Sequence, residues 1–295
     1  MTVAELQKMF LPTLAPEDFF ILLAHATKKE KVFLLAHPEY ALDPKDETLA
    51  EDCFRRRLKH EPTAYIVGHK EFYGYDFFVT QDTLVPRPET EQLVELALNR
   101  ILNLESRISA QKERPVTLVD IGTGSGNIVI SLAKTILTKF KIQNSRFNFI
   151  ATDISEKALA VAKENAKIHN VDQMIAFLHG DLLDPCLPYI RLDREIIITA
   201  NLPYLSREIY QATADDVKKF EPENALVSDQ AGLEHYHRLL DQIKALPKPA
   251  VLFLEISPEQ TVTLKKYIHS LFPSAKVHIH KDLAQKERIV EIRIQ

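Results

Sequence analysis

Two short runs in this 295-residue chain combine residue types and spacing that serve chemistry rather than packing alone. The first is Asp120-Ile121-Gly122-Thr123-Gly124-Ser125-Gly126, where three of the chain's seven glycines follow directly on the apolar run Val116 to Ile121. Glycine at alternate positions lets the backbone turn tightly and approach a ligand at the N-terminus of the next helix. A ligand cradle of Gly122, Thr123, Gly124, Ser125 and Gly126 is expected, because a bare turn does not need so many glycines. The second run is Asn201-Leu202-Pro203-Tyr204, after the apolar run Ile196 to Ala200. Asn201 Oδ1 and the Leu202 carbonyl can both accept hydrogen bonds from one NH2 group, turning its lone pair toward an electrophile and stabilising the charge that grows on nitrogen. Pro203 lacks an N–H and restricts Leu202 to extended geometry, which aims that carbonyl, and Tyr204 is expected to stack on a planar amide. No metal, acid or covalent nucleophile is required.

Spacing narrows the ligand of the first run. The dinucleotide fingerprint has its third glycine one place later, and it is not preceded by an acid such as Asp120. A carboxylate there suits a positively charged ligand and would be poorly placed beside a pyrophosphate. The run resembles motif I of the S-adenosylmethionine-dependent methyltransferases, whose donor carries an ammonium and a sulfonium. Asp153, closing the strand-like run from Phe147, can accept both ribose hydroxyls; the competing role, a helix N-cap, can be filled by Ser155. Asp181 ends the next run and is expected at the adenine amino group, with Leu182 against the ring, although a surface turn also fits that pair. His235 and His237 stand two apart and do not share a helix face, so no role is assigned to them.

These residues need a scaffold that brings strand ends together. Strand-like runs at 116–121, 147–153, 174–179, 195–200 and 250–256 alternate with helix-like runs at 126–139, 155–169, 231–245 and 258–271, which predicts a parallel sheet with helices on both faces. The end departs from this, because Lys276 to His280 and Ile289 to Ile294 are strand-like runs joined by a short polar turn, predicting a closing antiparallel hairpin. The stretch up to about Gly68 has apolar residues at helical spacing broken by prolines, and predicts several short helices. Between Glu71 and Val79 the pattern becomes aromatic and alternating around Gly74, as in a β-hairpin. The expected domains are 1–70, helical; 71–90, a hairpin linker ending in Pro86-Arg87-Pro88-Glu89-Thr90; and 91–295, α/β.

Composition sets the class of partner. With 45% hydrophobic and 26% charged residues the chain is globular, and a formal charge of −4 provides no general pull toward nucleic acid. No apolar run reaches the roughly 20 residues of a membrane span, and the start lacks a signal-peptide pattern, so a cytoplasmic protein is expected. Cys53 and Cys186 are far apart and outside any metal-binding spacing, which reads as two free thiols.

Taken together, the helical start, Arg55-Arg56-Arg57, Glu61-Pro62, Glu71-Phe72-Tyr73-Gly74, the segment Leu84 to Glu91, the glycine loop, Asn201 to Tyr204, Phe220-Glu221-Pro222 and Glu287-Arg288 resemble the HemK/PrmC family nearly end to end. That resemblance implies a Rossmann-like class I methyltransferase sheet behind a small all-α substrate-docking domain. It implies S-adenosyl-L-methionine as donor and methylation of the N5 amide of the glutamine in the GGQ motif of peptide chain release factors, with Arg87 near substrate and donor. The family motif usually reads Asn-Pro-Pro-Tyr, so Leu202 is a departure. Asn-Leu-Pro-Tyr is also the form seen in ribosomal RNA adenine dimethyltransferases, which leaves N6-adenine methylation of RNA or DNA as the alternative. The acidic balance and the N-terminal helices favour the protein substrate.

Overall fold

The computed structural model describes residues 1–107, 115–138, 146–190, 194–246 and 250–294. Five helices open the chain: α1 (Val3–Phe10), α2 (Pro16–Thr27), α3 (Lys31–Ala36), α4 (Pro44–Leu58) and α5 (Thr63–Val67). Their starts follow from local chemistry. Thr2 and Glu5 close a capping box on α1, and Pro16 and Pro44 occupy the first turns of α2 and α4, where no N–H is missed. Phe54 stacks on Phe19 at 4.8 Å and lies against Phe10 at 4.7 Å, the aromatic centre of a small separate core.

A hairpin of β1 (His69–Phe72) and β2 (Tyr75–Phe78) follows, turning at Gly74 with φ +73°, as the aromatic alternation predicts. Next come α6 (Glu91–Arg107), β3 (Val116–Ile121), α7 (Asn127–Thr138), β4 (Phe147–Asp153), α8 (Glu156–Ile168), β5 (Ile175–His179) and β6 (Glu195–Ala200). The remainder is α9 (Arg207–Ala212), α10 (Asp215–Phe220), a kinked turn α11 (Asp229–Gly232), α12 (Glu234–Lys244), β7 (Ala250–Glu255), α13 (Thr261–Leu271), β8 (Lys276–Lys281) and β9 (Glu287–Arg293). Seven strands form one sheet in the order β5-β4-β3-β6-β7-β9-β8, all parallel except β9, which runs antiparallel to both neighbours. The predicted Rossmann-like α/β class and closing hairpin are therefore present, with element ends within a few residues of expectation. Every residue of β3 and of β7 is buried, as a strand covered on both faces requires.

The topology dictates where a site can form. Strand order reverses at β3, so the carboxyl ends of β3 and β6 face a crevice with no crossover helix between them. In-register pairing sets Ile121 beside both Thr152 and Ala200, which brings the glycine loop level with Asp153 on one side and Asn201 on the other.

The N-terminal helices are tied to that edge. The Tyr65 hydroxyl donates to the Thr83 carbonyl at 2.6 Å, and Ala64, Tyr65, Val79 and Val85 make a small apolar cluster with Phe220. Arg57 pairs with Asp18 at 2.7 Å and reaches Asp216 of α10 at 3.9 Å. Sequence periodicity assigned no element to residues 205–230; α9 and α10 are too short to show a helical repeat, and α9 and α10 bury no residue completely. Cys53 and Cys186 are buried free thiols.

Candidate active site

The cleft at the switch point encloses about 1060 Å³ of empty space, counting its open mouth, and is lined by several segments distant in sequence, three of which form its main walls. One is the glycine loop. Gly122, Gly124 and Gly126 have φ of +69°, +54° and +80°, a region that side chains resist. A Cβ on Gly122 would come within 2.8 Å of Leu202, and one on Gly126 within 3.2 Å of Ala162, so these two glycines serve packing. Gly124 has nothing within 4 Å of its missing Cβ and lines the cleft.

Asp120 does not face the cleft. It is fully buried, and its two oxygens accept from Thr123 Oγ1 at 2.7 Å and Thr199 Oγ1 at 2.8 Å, which staples the loop to β6. Burial pushes its pKa up to about 7. Asp120 therefore does not present a carboxylate to a ligand as its charge suggested, whereas Asp153 does line the cleft. Asp153 Oδ2 accepts from the Gly124 N–H at 2.8 Å and Oδ1 from the Ser155 N–H at 2.9 Å. A carboxylate oxygen has two lone pairs, so each retains acceptor capacity. Ser155 also caps α8 through the Ala158 N–H at 3.2 Å, as expected, leaving Asp153 free of that duty.

Asp181 and Leu182 line the far end, but the Asp181 carboxylate pairs with Arg238, so that acid is already engaged at the cleft rim. Arg238 and half-buried His235 project from the first turn and a half of α12 into the same wall. Reading His235 only by its spacing to His237 missed this placement, because the kink at Gln230 and Ala231 (φ +53° and +56°) decides which way α12 starts.

The second wall is the Asn201 loop. Asn201, Leu202 and Pro203 line the cleft; Tyr204 does not, its hydroxyl being turned to Glu255 Oε1 at 3.5 Å and its carbonyl accepting from Gln260 Nε2 at 2.7 Å. Glu255, at the end of β7, is fully buried and raised to about 7 by that burial. The third wall is Asp82 to Thr90. There Arg87 donates to Glu221 at 2.5 Å, and the nearly fully buried Glu221 also accepts the Val85 N–H at 3.2 Å. Asn165 of α8, fully buried, joins the β1–β2 hairpin to the glycine loop: it exchanges hydrogen bonds with the Phe78 backbone (2.8 and 2.9 Å) and donates to the Ser125 carbonyl at 2.9 Å.

Comparison with known proteins decides the family. Residues 13–68 match the model of the PrmC N-terminal domain, and residues 112–289 a methyltransferase domain. The release factor glutamine methyltransferase of Bacillus anthracis is 33% identical over 93% of this chain and 91% of its own. The enzyme of that name from Nitratidesulfovibrio vulgaris is 33% identical over 92% and 86%. This chain belongs to the release factor glutamine methyltransferase family. At the level of fold alone, the N-terminal domain of human METTL16 superposes with a TM-score of 0.53 at 16% identity, covering 92% of each chain.

Within the release factor glutamine methyltransferase family, the departure at Leu202 now has a physical account. A proline at 202 would have no N–H; the Leu202 N–H donates to the Tyr236 hydroxyl at 3.3 Å, and the fully buried Tyr236 hydroxyl in turn donates a hydrogen bond to the Glu255 carbonyl. The Leu202 side chain is seated on Gly122. Hydrogen bond and packing together restrain the loop where a ring would otherwise do so. Tyr236→Phe is expected to destabilise the fold by about 1–3 kcal/mol through the orphaned N–H and carbonyl. Adding Leu202→Pro removes that N–H and should recover part of the loss in urea melts; no recovery would refute the pairing.

Proposed function

We propose that this chain transfers a methyl group from S-adenosyl-L-methionine to the side-chain amide nitrogen of the glutamine in the GGQ motif of a peptide chain release factor. The observation that carries the reading is the meeting of Gly124, Asp153 and the Asn201 loop in one cleft, in a chain whose relatives are named release factor glutamine methyltransferases. The residues present fit the donor: Gly122 to Gly126 would hold its amino acid portion, Asp153 its ribose hydroxyls, and Leu182 its adenine, with Asp181 reaching that base only by sharing its carboxylate with Arg238. Bound there, the donor supplies an electrophilic methyl on a sulfonium.

What the protein supplies is orientation. An amide nitrogen is a poor nucleophile because its lone pair is delocalised. Asn201 Oδ1 and the Leu202 carbonyl, both accepting from its two N–H bonds, hold the nitrogen so that the lone pair faces the methyl and stabilise charge as it grows. Pro203 keeps Leu202 extended. Arg87, held by Glu221, lines the approach. Tyr204, buried so that its phenol stays protonated well above the ordinary value, would need to turn from Glu255 to stack on the substrate.

In the same reading residues 1–70 dock the release factor, 71–90 link, and 91–295 carry the chemistry, in the cytoplasm and without a nucleic acid partner. No helix among the described residues is long and apolar enough to cross a membrane. The test is incubation with labelled S-adenosylmethionine and, separately, an unmodified release factor, its GGQ glutamine variant and ribosomal RNA, followed by mass spectrometry. Label on the factor that disappears with the glutamine variant supports the reading. Label on RNA alone overturns it in favour of adenine methylation.

A further inference from the structure

A carboxamide is nearly symmetric in shape and opposite in chemistry at its two ends: Oδ1 accepts and Nδ2 donates. A site built to hold an NH2 group must keep Oδ1 of Asn201 toward the substrate, so something must engage Nδ2. That partner is Thr90, whose Oγ1 accepts from Asn201 Nδ2 at 3.1 Å. Thr90 is 1% exposed, ends the one-turn segment Pro88–Thr90, and is held by its own N–H on the Arg87 carbonyl at 3.1 Å. Pro86 and Pro88 stiffen the backbone that delivers it.

A threonine hydroxyl can also donate, and donation to Oδ1 would favour the opposite flip. Glu255 decides between these. Glu255 is buried close by, and its Oε2 has no hydrogen-bond partner, so an unfilled acceptor stands beside Thr90. The Thr90 hydroxyl hydrogen is free to turn toward that unfilled acceptor, which leaves the Thr90 oxygen to accept from Asn201 as the 3.1 Å contact shows. We propose that Thr90 is a positioning residue that sets the flip of the Asn201 carboxamide, and thereby makes the site select an NH2 group over a hydroxyl or carbonyl. The proposal rests on the reading that an amide NH2 is the methyl acceptor.

The test compares Thr90→Val, nearly isosteric but without the hydroxyl, with Thr90→Ser, which retains it. With release factor as substrate, Thr90→Val is expected to lose about tenfold or more in kcat, the worth of one well-placed hydrogen bond, with donor Kd and substrate KM within about twofold. Thr90→Ser should remain within about threefold of wild type. The Asn201 side-chain NH2 resonances, assigned by their disappearance in Asn201→Ala, should shift in Thr90→Val and not in Thr90→Ser. Wild-type kcat in Thr90→Val, an equal fall in donor affinity, or unmoved Asn201 resonances would overturn the proposal. If wild type fails to methylate the factor, the functional reading falls, and the resonances still judge the Thr90 contact. Thr90→Ala carries the same comparison if the valine variant does not fold.

Discussion

Asn201→Ala is expected to lower kcat for glutamine methylation by about 10² to 10³, the scale for removing one preorganised polar contact to a reacting centre. Only one of the two acceptors for the substrate NH2 is lost, but it is the one placed by a side chain rather than by the backbone, and no neighbour can replace it. Donor binding should change far less, because Gly124 and Asp153 are connected to each other by their own 2.8 Å hydrogen bond and not through Asn201. Single-turnover rates on an unmodified release factor, set beside calorimetric titration with S-adenosylmethionine, separate the two effects. A parallel loss in rate and in donor affinity would remove Asn201 from its assigned role.

Gly232→Ala should be the most damaging single methyl in the molecule. Gly232 has φ +83°, and a Cβ there would fall 2.0 Å from the Tyr204 carbonyl oxygen and 2.7 Å from its carbon. Backbone atoms cannot swing aside as a side-chain tip can. The same Cβ would strike Gln260 Nε2 at 2.4 Å, the group that donates to Tyr204 and to the Ala231 carbonyl. Left-handed strain alone costs about 1–3 kcal/mol, and displacement of the reactive loop adds to it. A fall in melting temperature on the order of 10 °C is expected, at roughly 2–4 °C per kcal/mol for a chain of this size, together with loss of turnover. Gly68→Ala is the control, with a similar φ of +83° and open space around it, and should show the strain cost alone. Equal melting temperatures for the two variants would show that the contact at Tyr204 does not matter.

How much of this could be read from sequence depends on whether a residue acts through its neighbours in the chain or in space. The glycine loop and Asn201 to Tyr204 were legible because each is a compact signal at the end of an apolar run, and the sheet because strand-like and helix-like runs alternate. Ser155 caps α8 as its position implied, and Asp153 lines the cleft. Asp120 was read by its charge, whereas its contacts with Thr123 and Thr199 make it a staple; Thr199 lies on a strand 79 residues away. Asn165 carries no sequence signal at all. A polar residue in an amphipathic helix reads as solvent-facing, and only the folded chain reveals it between the hairpin and the glycine loop. His235 shares that character, and although Glu221 and Thr90 lie in runs that carry the family resemblance, what they hold in place shows only in the fold. Each is defined by a partner or a wall supplied from elsewhere, and short helices such as α9 and α10 leave no periodicity to announce them.

The way Tyr65, Arg57 and the Val85 backbone converge on the cleft rim bears on cooperativity. Thr83 is held by a residue of α5, Val85 by Glu221, and α10 in turn by Arg57. Each strut ends on a different segment, so opening the rim is expected to disturb the N-terminal helices and the α9–α10 segment together. In hydrogen-exchange terms, amides of residues 83–90 should be protected to the depth of the N-terminal core rather than of a surface loop. A partner that gripped those helices would thereby stiffen the wall carrying Arg87 and Thr90, with no new contact made inside the cleft.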